Sequence, residues 1–174
     1  MCQARDLYYW VYPEQAAIEN TYPYDRITRS TFRRYNNGIS VFDGACLTID
    51  GVSLEDLAKS TTASTFHVVA SLPKAVLSRR DINLTLCSNP KKSEQNSVVW
   101  KAHALIRPQE AGCEVNGDLS NAHIKLMKRS LTLLAAESEI VYGGNLVQQL
   151  MMSSHQSWIS LEDENVRSVL PTDS

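Results

Sequence analysis

No run of the chain reaches the roughly eighteen apolar residues that a membrane-spanning helix needs, so no such segment is expected. The opening, MCQARDLYYW, sets a charged pair before aromatics instead of a basic segment before an apolar one, and an export signal is not expected either. Neither sign of charge prevails: 17 Lys and Arg stand against 19 Asp and Glu, a net charge of −2. A balance that close does not draw nucleic acid or an anionic membrane to the whole molecule, so any such binding has to be local. Cysteine is sparse. Cys2, Cys46, Cys87 and Cys113 are widely separated and form no Cys-x-x-Cys pair, which fits the reduced thiols of a cytoplasmic protein better than a disulfide framework, with one bridge left open. His67, His103 and His123 stand near Cys87 and Cys113, yet none has a partner at the short spacing of structural zinc sites. No metal and no cofactor are expected. Internal repeats and low-complexity tracts are also lacking.

What is present is an ordinary globular composition, 174 residues with 43% hydrophobic and 21% charged side chains, enough for one domain with a real core. LYYWVY, residues 7–12, has the aromatic and β-branched content of a strand, and Pro13 ends it. A polar arm from Glu14 to Asn36 follows. Asn36-Asn37-Gly38 tolerates positive φ and predicts a tight turn into a strand at Ile39–Phe42, with Ile39 and Val41 facing opposite to Ser40 and Phe42. Ser53 and Asp56 form a capping box that opens a short helix over Leu54–Ser60. TFHVVASL, residues 65–72, predicts a strand, and Pro73 a helical turn over Lys74–Arg79. Ile82–Cys87 alternates as a further strand, followed by a polar loop over 88–97.

Val98–Ile106 is expected to be the longest strand, with Trp100, Ala102, Ala104 and Ile106 on one face and Val99, Lys101, His103 and Leu105 on the other. Ser120 caps a helix reaching about Glu137, in which Ile124, Met127, Leu131 and Leu134 recur at spacings of three and four. Ile140–Tyr142 predicts a last strand before Gly143-Gly144. The expected fold is α+β: a single domain whose mixed or antiparallel sheet carries one long amphipathic helix on a face. Residues 1–144 form the compact part, and 145–174 a C-terminal helix with an acidic tail.

Two basic groups point to anion binding. Arg26, Arg29, Arg33 and Arg34 lead into the glycine turn, and the guanidinium fork suits phosphate or carboxylate. Lys125, Lys128 and Arg129 share a face of the long helix, and if that face adjoins the arginine arm the two form a stripe able to track phosphates, with Phe32 and Tyr35 available to stack on bases. A solvated surface is the plain alternative for both. His103, mid-strand on a partly apolar face, is either a satisfied structural imidazole or a polar group in a ligand cleft. Cys87 or Cys46 with His103 as base can be drawn as a nucleophilic pair. Arg29-Ser30-Thr31 followed much later by Glu137-Ser138-Glu139 resembles, in order, the arginine, serine and Glu-x-Glu of ADP-ribosyltransferases, which makes Glu139 a catalytic candidate beside His103.

LYYWVYP, TFRRYNNGISVFDG, HVVASLPKAVL and the His-Ala-Leu-Ile of WKAHALI together resemble a group of small bacterial proteins of unassigned function. The resemblance spans roughly residues 7–107 and brings no activity with it. In that group a proline often precedes the late His-Ala stretch, where this chain has Trp100-Lys101. The expectation is therefore a bacterial binding or accessory component that meets a partner protein, with nucleic acid as a further partner and no membrane. The alternative is an enzyme acting on a nucleotide or nucleic acid. A concave site into which polar side chains converge favours the enzyme, and an exposed apolar patch the accessory protein.

Overall fold

The aromatic and β-branched runs of the sequence become the strands of one antiparallel sheet. In the computed structural model, which describes residues 2–11, 29, 32, 36–60, 68–90, 97–114 and 117–144, these are β1 (Asp6–Val11), β2 (Ile39–Asp43), β3 (Val68–Pro73), β4 (Leu84–Ser88), β5 (His103–Pro108) and β6 (Glu139–Tyr142). Between them lie α1 (Gly44–Ile49), α2 (Leu54–Lys59), α3 (Val98–Lys101), α4 (Asn121–Ala136) and two short 3-10 turns, Lys74–Ser78 and Gln109–Ala111. The strand order is β4-β5-β2-β1-β3-β6, and every pairing is antiparallel. The fold is α+β, as the order of elements in the sequence implies.

Alternation along the strands gives the sheet two apolar faces, each with its own core. On the first, Leu7, Val41, Ala70 and Ile106 meet Met127, Leu131 and Leu134 of α4. Ser120 starts that helix by accepting a hydrogen bond from the His123 amide, and Ser130 inside it donates to the Ile82 carbonyl. On the second face, Tyr8, Phe42 and Val69 meet Leu47 of α1, Leu57 of α2 and Trp100 of α3. Asp43 caps α1 and also pairs with Lys74 at 2.5 Å, while the Ser53–Asp56 box caps α2. The Trp10 indole donates to the Leu57 carbonyl at 2.9 Å and fastens α2 to the sheet.

Three expectations change. Residues 98–101 form a helical turn, so β5 begins only at His103 and the strand expected from Val98 is shorter. Burial explains this: as a helix both Val99 and Trp100 enter the second core, whereas a strand would send them to opposite faces. β4 starts at Leu84 because Asn83, at φ +50°, bends the chain before it. Cys87 and Cys113 are joined in a disulfide where free thiols are expected, because β4–β5 pairing and the turn at 109–111 bring their Cα atoms to 5.2 Å. Cys2 and Cys46 are free. Residues 61–67, the loop 91–96, the expected helix at 146–152 and the acidic tail lie outside the described residues, as does most of the arm at 14–36. Among the described residues no helix is long and apolar enough to cross a membrane.

Candidate functional site

The second face ends, along β2 and β5, in a polar corner. Phe42 opposes His103 across the ladder and Ser40 opposes Leu105, so all four side chains project to this side. Phe42, Trp10 and Trp100 form an aromatic cluster with ring centroids 4.8 to 5.4 Å apart. His103 closes it, its ring 5.7 Å from both Phe42 and Trp100. Beside the imidazole opens a cleft of about 550 Å³ lined by Asn36, Asn37, Gly38, Ser40, Asn89, His103, Leu105 and Asp118.

Hydrogen bonding selects the tautomer that a neutral His103, 2% exposed, adopts. Its Nδ1 lies 2.6 Å from the Asn89 carbonyl oxygen, and a carbonyl can only accept, so Nδ1 carries hydrogen. In the neutral ring Nε2 then bears a lone pair, and the Ser40 hydroxyl donates to it at 2.7 Å. The Asn89 amide donates back to the His103 carbonyl at 3.0 Å, which locks the end of β4 to the start of β5. Ser40 itself is exposed at the mouth.

The walls are tied as firmly as the floor. Gly38 has φ +126°, and a Cβ there would stand 2.8 Å from the Ile106 carbonyl oxygen, so only glycine lets this turn lie against β5. Arg107, 3% exposed, donates through Nη1 to the Asn37 carbonyl at 2.7 Å and through Nε to the Gly112 carbonyl at 3.1 Å. The Leu119 amide donates to the Asn36 carbonyl at 2.6 Å, which holds Asp118 at the rim.

Of the described residues expected to act, His103 alone is in this cleft. Glu139 is exposed on β6, the far edge, four strand spacings or about 19 Å of sheet from β5. Glu137 pairs with Arg79 at 2.9 Å. Arg29 is exposed, and Arg26, Arg33, Arg34, Tyr35, Ser30 and His67 lie outside the described residues. Lys125, Lys128 and Arg129 are exposed on α4, which packs on the opposite face of the sheet from His103. Phe32 is no free stacking platform: it is 3% exposed and packs on Tyr9 at 5.0 Å. Cys87 is no nucleophile, being bridged, and burial with the nearby Asp43 carboxylate pushes the Cys46 thiol up, away from an activated thiolate. Among the described residues no three His, Cys, Asp or Glu side chains are grouped to hold a metal ion.

Ser40 and Asn89 go unnominated in the sequence. Alternation puts Ser40 on the Phe42 side of its strand, but only the pairing of β2 with β5 reveals that His103 shares that side. Asn89 contributes its backbone carbonyl, which no side-chain motif encodes. No protein family, curated protein or solved structure matches the chain.

Proposed function

We propose that the His103 cleft is the working site of an enzyme acting on a small nucleotide or nucleoside-like ligand. The observation that carries this reading is the buried imidazole held between the Ser40 hydroxyl and the Asn89 carbonyl at the wall of an open polar cleft. Its volume of about 550 Å³ is in the range of small-molecule sites, roughly 300–1,000 Å³. Asparagine carboxamides both donate and accept, as a base edge requires, Asp118 suits a vicinal diol, and Leu105 offers apolar surface beneath a ring. The test is ligand-observed NMR with AMP and NAD+ against the parent protein and Asp118→Asn. Asp118 is exposed and outside the cores, so the variant should keep its melting temperature. One of the nucleotides should bind, and the variant should bind it about tenfold less tightly. Absence of binding by both at millimolar concentration, or equal binding by the variant, would overturn the reading.

A second reading, an accessory protein meeting a partner protein or nucleic acid, is favoured by the exposed Lys125, Lys128 and Arg129 on α4 and by the exposed Ile49 and Val98 on α1 and α3. The basic face suits phosphates or acidic side chains. The two apolar residues are what an adjoining protein would cover.

A further inference from the structure

Four other described serines give their hydroxyl hydrogen to the backbone and show what Ser40 does not do. Ser60, Ser78, Ser130 and Ser138 each donate to a main-chain carbonyl, where the hydroxyl completes a turn or helix. Ser40 is exposed and hydrogen-bonds a buried imidazole, to whose neutral ring it gives its hydrogen. A hydroxyl within hydrogen-bond reach of a base, with the base oriented by a third group, is the arrangement that activates an oxygen nucleophile. Here the Asn89 carbonyl is the orienting group, and the ring contacts with Phe42 and Trp100 hold the imidazole plane.

We propose that Ser40 is a catalytic nucleophile and His103 its general base, so that the cleft cleaves an ester carried by its ligand. This rests on the reading of the cleft as an enzyme site and names the bond attacked. As Ser40 Oγ bonds to the ester carbonyl carbon, its proton passes to His103 Nε2, giving an imidazolium whose Nδ1–H stays on the Asn89 carbonyl. Collapse breaks the bond from that carbon to the alcohol oxygen, which leaves with the proton from Nε2. Water then adds to the acyl carbon, losing its proton to Nε2. Ser40 departs with that proton, and a carboxylic acid is released. The asparagines lining the cleft are the side chains able to donate to the oxyanion formed in each half.

The experiment is labelling with a fluorophosphonate, located by mass spectrometry, in the parent, Ser40→Ala and His103→Gln. Ser40 should be labelled about a hundredfold faster than the exposed Ser78, Ser40→Ala should lose that label, and His103→Gln should slow it by a similar factor. Because His103→Gln disturbs a buried site, nitrogen NMR of the parent gives a second measurement: Nδ1 should be protonated and Nε2 bare at neutral pH. Labelling at Ser40 no faster than at Ser78, or the opposite tautomer, would overturn the proposal. Nucleotide binding without labelling refutes the nucleophile alone, and labelling without nucleotide binding refutes only the nucleotide reading.

Discussion

The two faces of the sheet are both buried, yet they are built differently. Among the described residues, the α4 face is covered mainly by one 16-residue helix, whose aliphatic stripe meets Leu7, Val41 and Ile106. The other is covered by three short helices of four to six residues over an aromatic cluster, and its polar corner carries the cleft. A long helix buries a strip of sheet with hydrogen bonds satisfied along its length, and leaves little room for polar side chains. Short helices cover a face piecewise. The polar corner and its cleft lie on the face with the less continuous cover.

Truncation in each core tests this division most strongly. Leu134→Ala should cost about 2–5 kcal/mol and Phe42→Ala about 3–5 kcal/mol, both read by denaturant unfolding, because each side chain is almost wholly buried. The difference lies in a second readout. Phe42→Ala should move the His103 imidazole resonances, since the two rings touch, and Leu134→Ala should leave them in place. Equal movement in both variants would mean that the faces are not separate in their effect on the site.

The disulfide offers a test at the cleft end. Cys87 is two residues before Asn89, and Cys113 follows Gly112, whose carbonyl anchors Arg107 and through it Asn37. Replacing both cysteines with alanine releases a loop closed across 26 positions, which chain entropy values at about 3.5 kcal/mol. Amide exchange should accelerate at Asn37 and Asn89 beyond the change seen along α4. Uniform acceleration would show that the bridge stabilises the whole sheet and has no particular hold on the cleft.

How much was legible follows the same division. The α4 stripe, its Ser120 cap, the Ser53–Asp56 box and the glycine turn are local patterns, and each appears where the spacing predicts it. Ile39 and Val41 enter the first core while Phe42 enters the second, as alternation requires. Val98–Lys101 misleads because β-branched and aromatic residues suit a strand locally, while long-range burial makes them a helix. The site was half legible: His103 is visible as a polar residue in an apolar run, but its partners are 63 residues away in Ser40 and 14 away in Asn89. Distances of that kind are set by strand order, which no local pattern contains.

The smallest expected effect lies in the cap of α2, a part of the discontinuous cover. Asp56 accepts hydrogen bonds from the Ser53 hydroxyl and backbone amide, and these hold its carboxyl below the usual carboxylate range. A depressed folded value means that the ionised cap stabilises the fold above the unfolded carboxylate pKa, near 4, and that this contribution fades as pH falls through the folded value. Ser53→Ala should cost about 1 kcal/mol at neutral pH by removing the hydroxyl that accepts from the Asp56 amide. Asp56→Asn should cost less, and its difference from the parent should shrink on acidification. The loss should appear in exchange at Leu57 and at the Trp10 indole bonded to it, with α4 unchanged, because the helix covers only the aromatic face. A pH-independent difference for Asp56→Asn, or faster exchange along α4, would show that the cap does not act through its charge or that the two covers are coupled through the sheet.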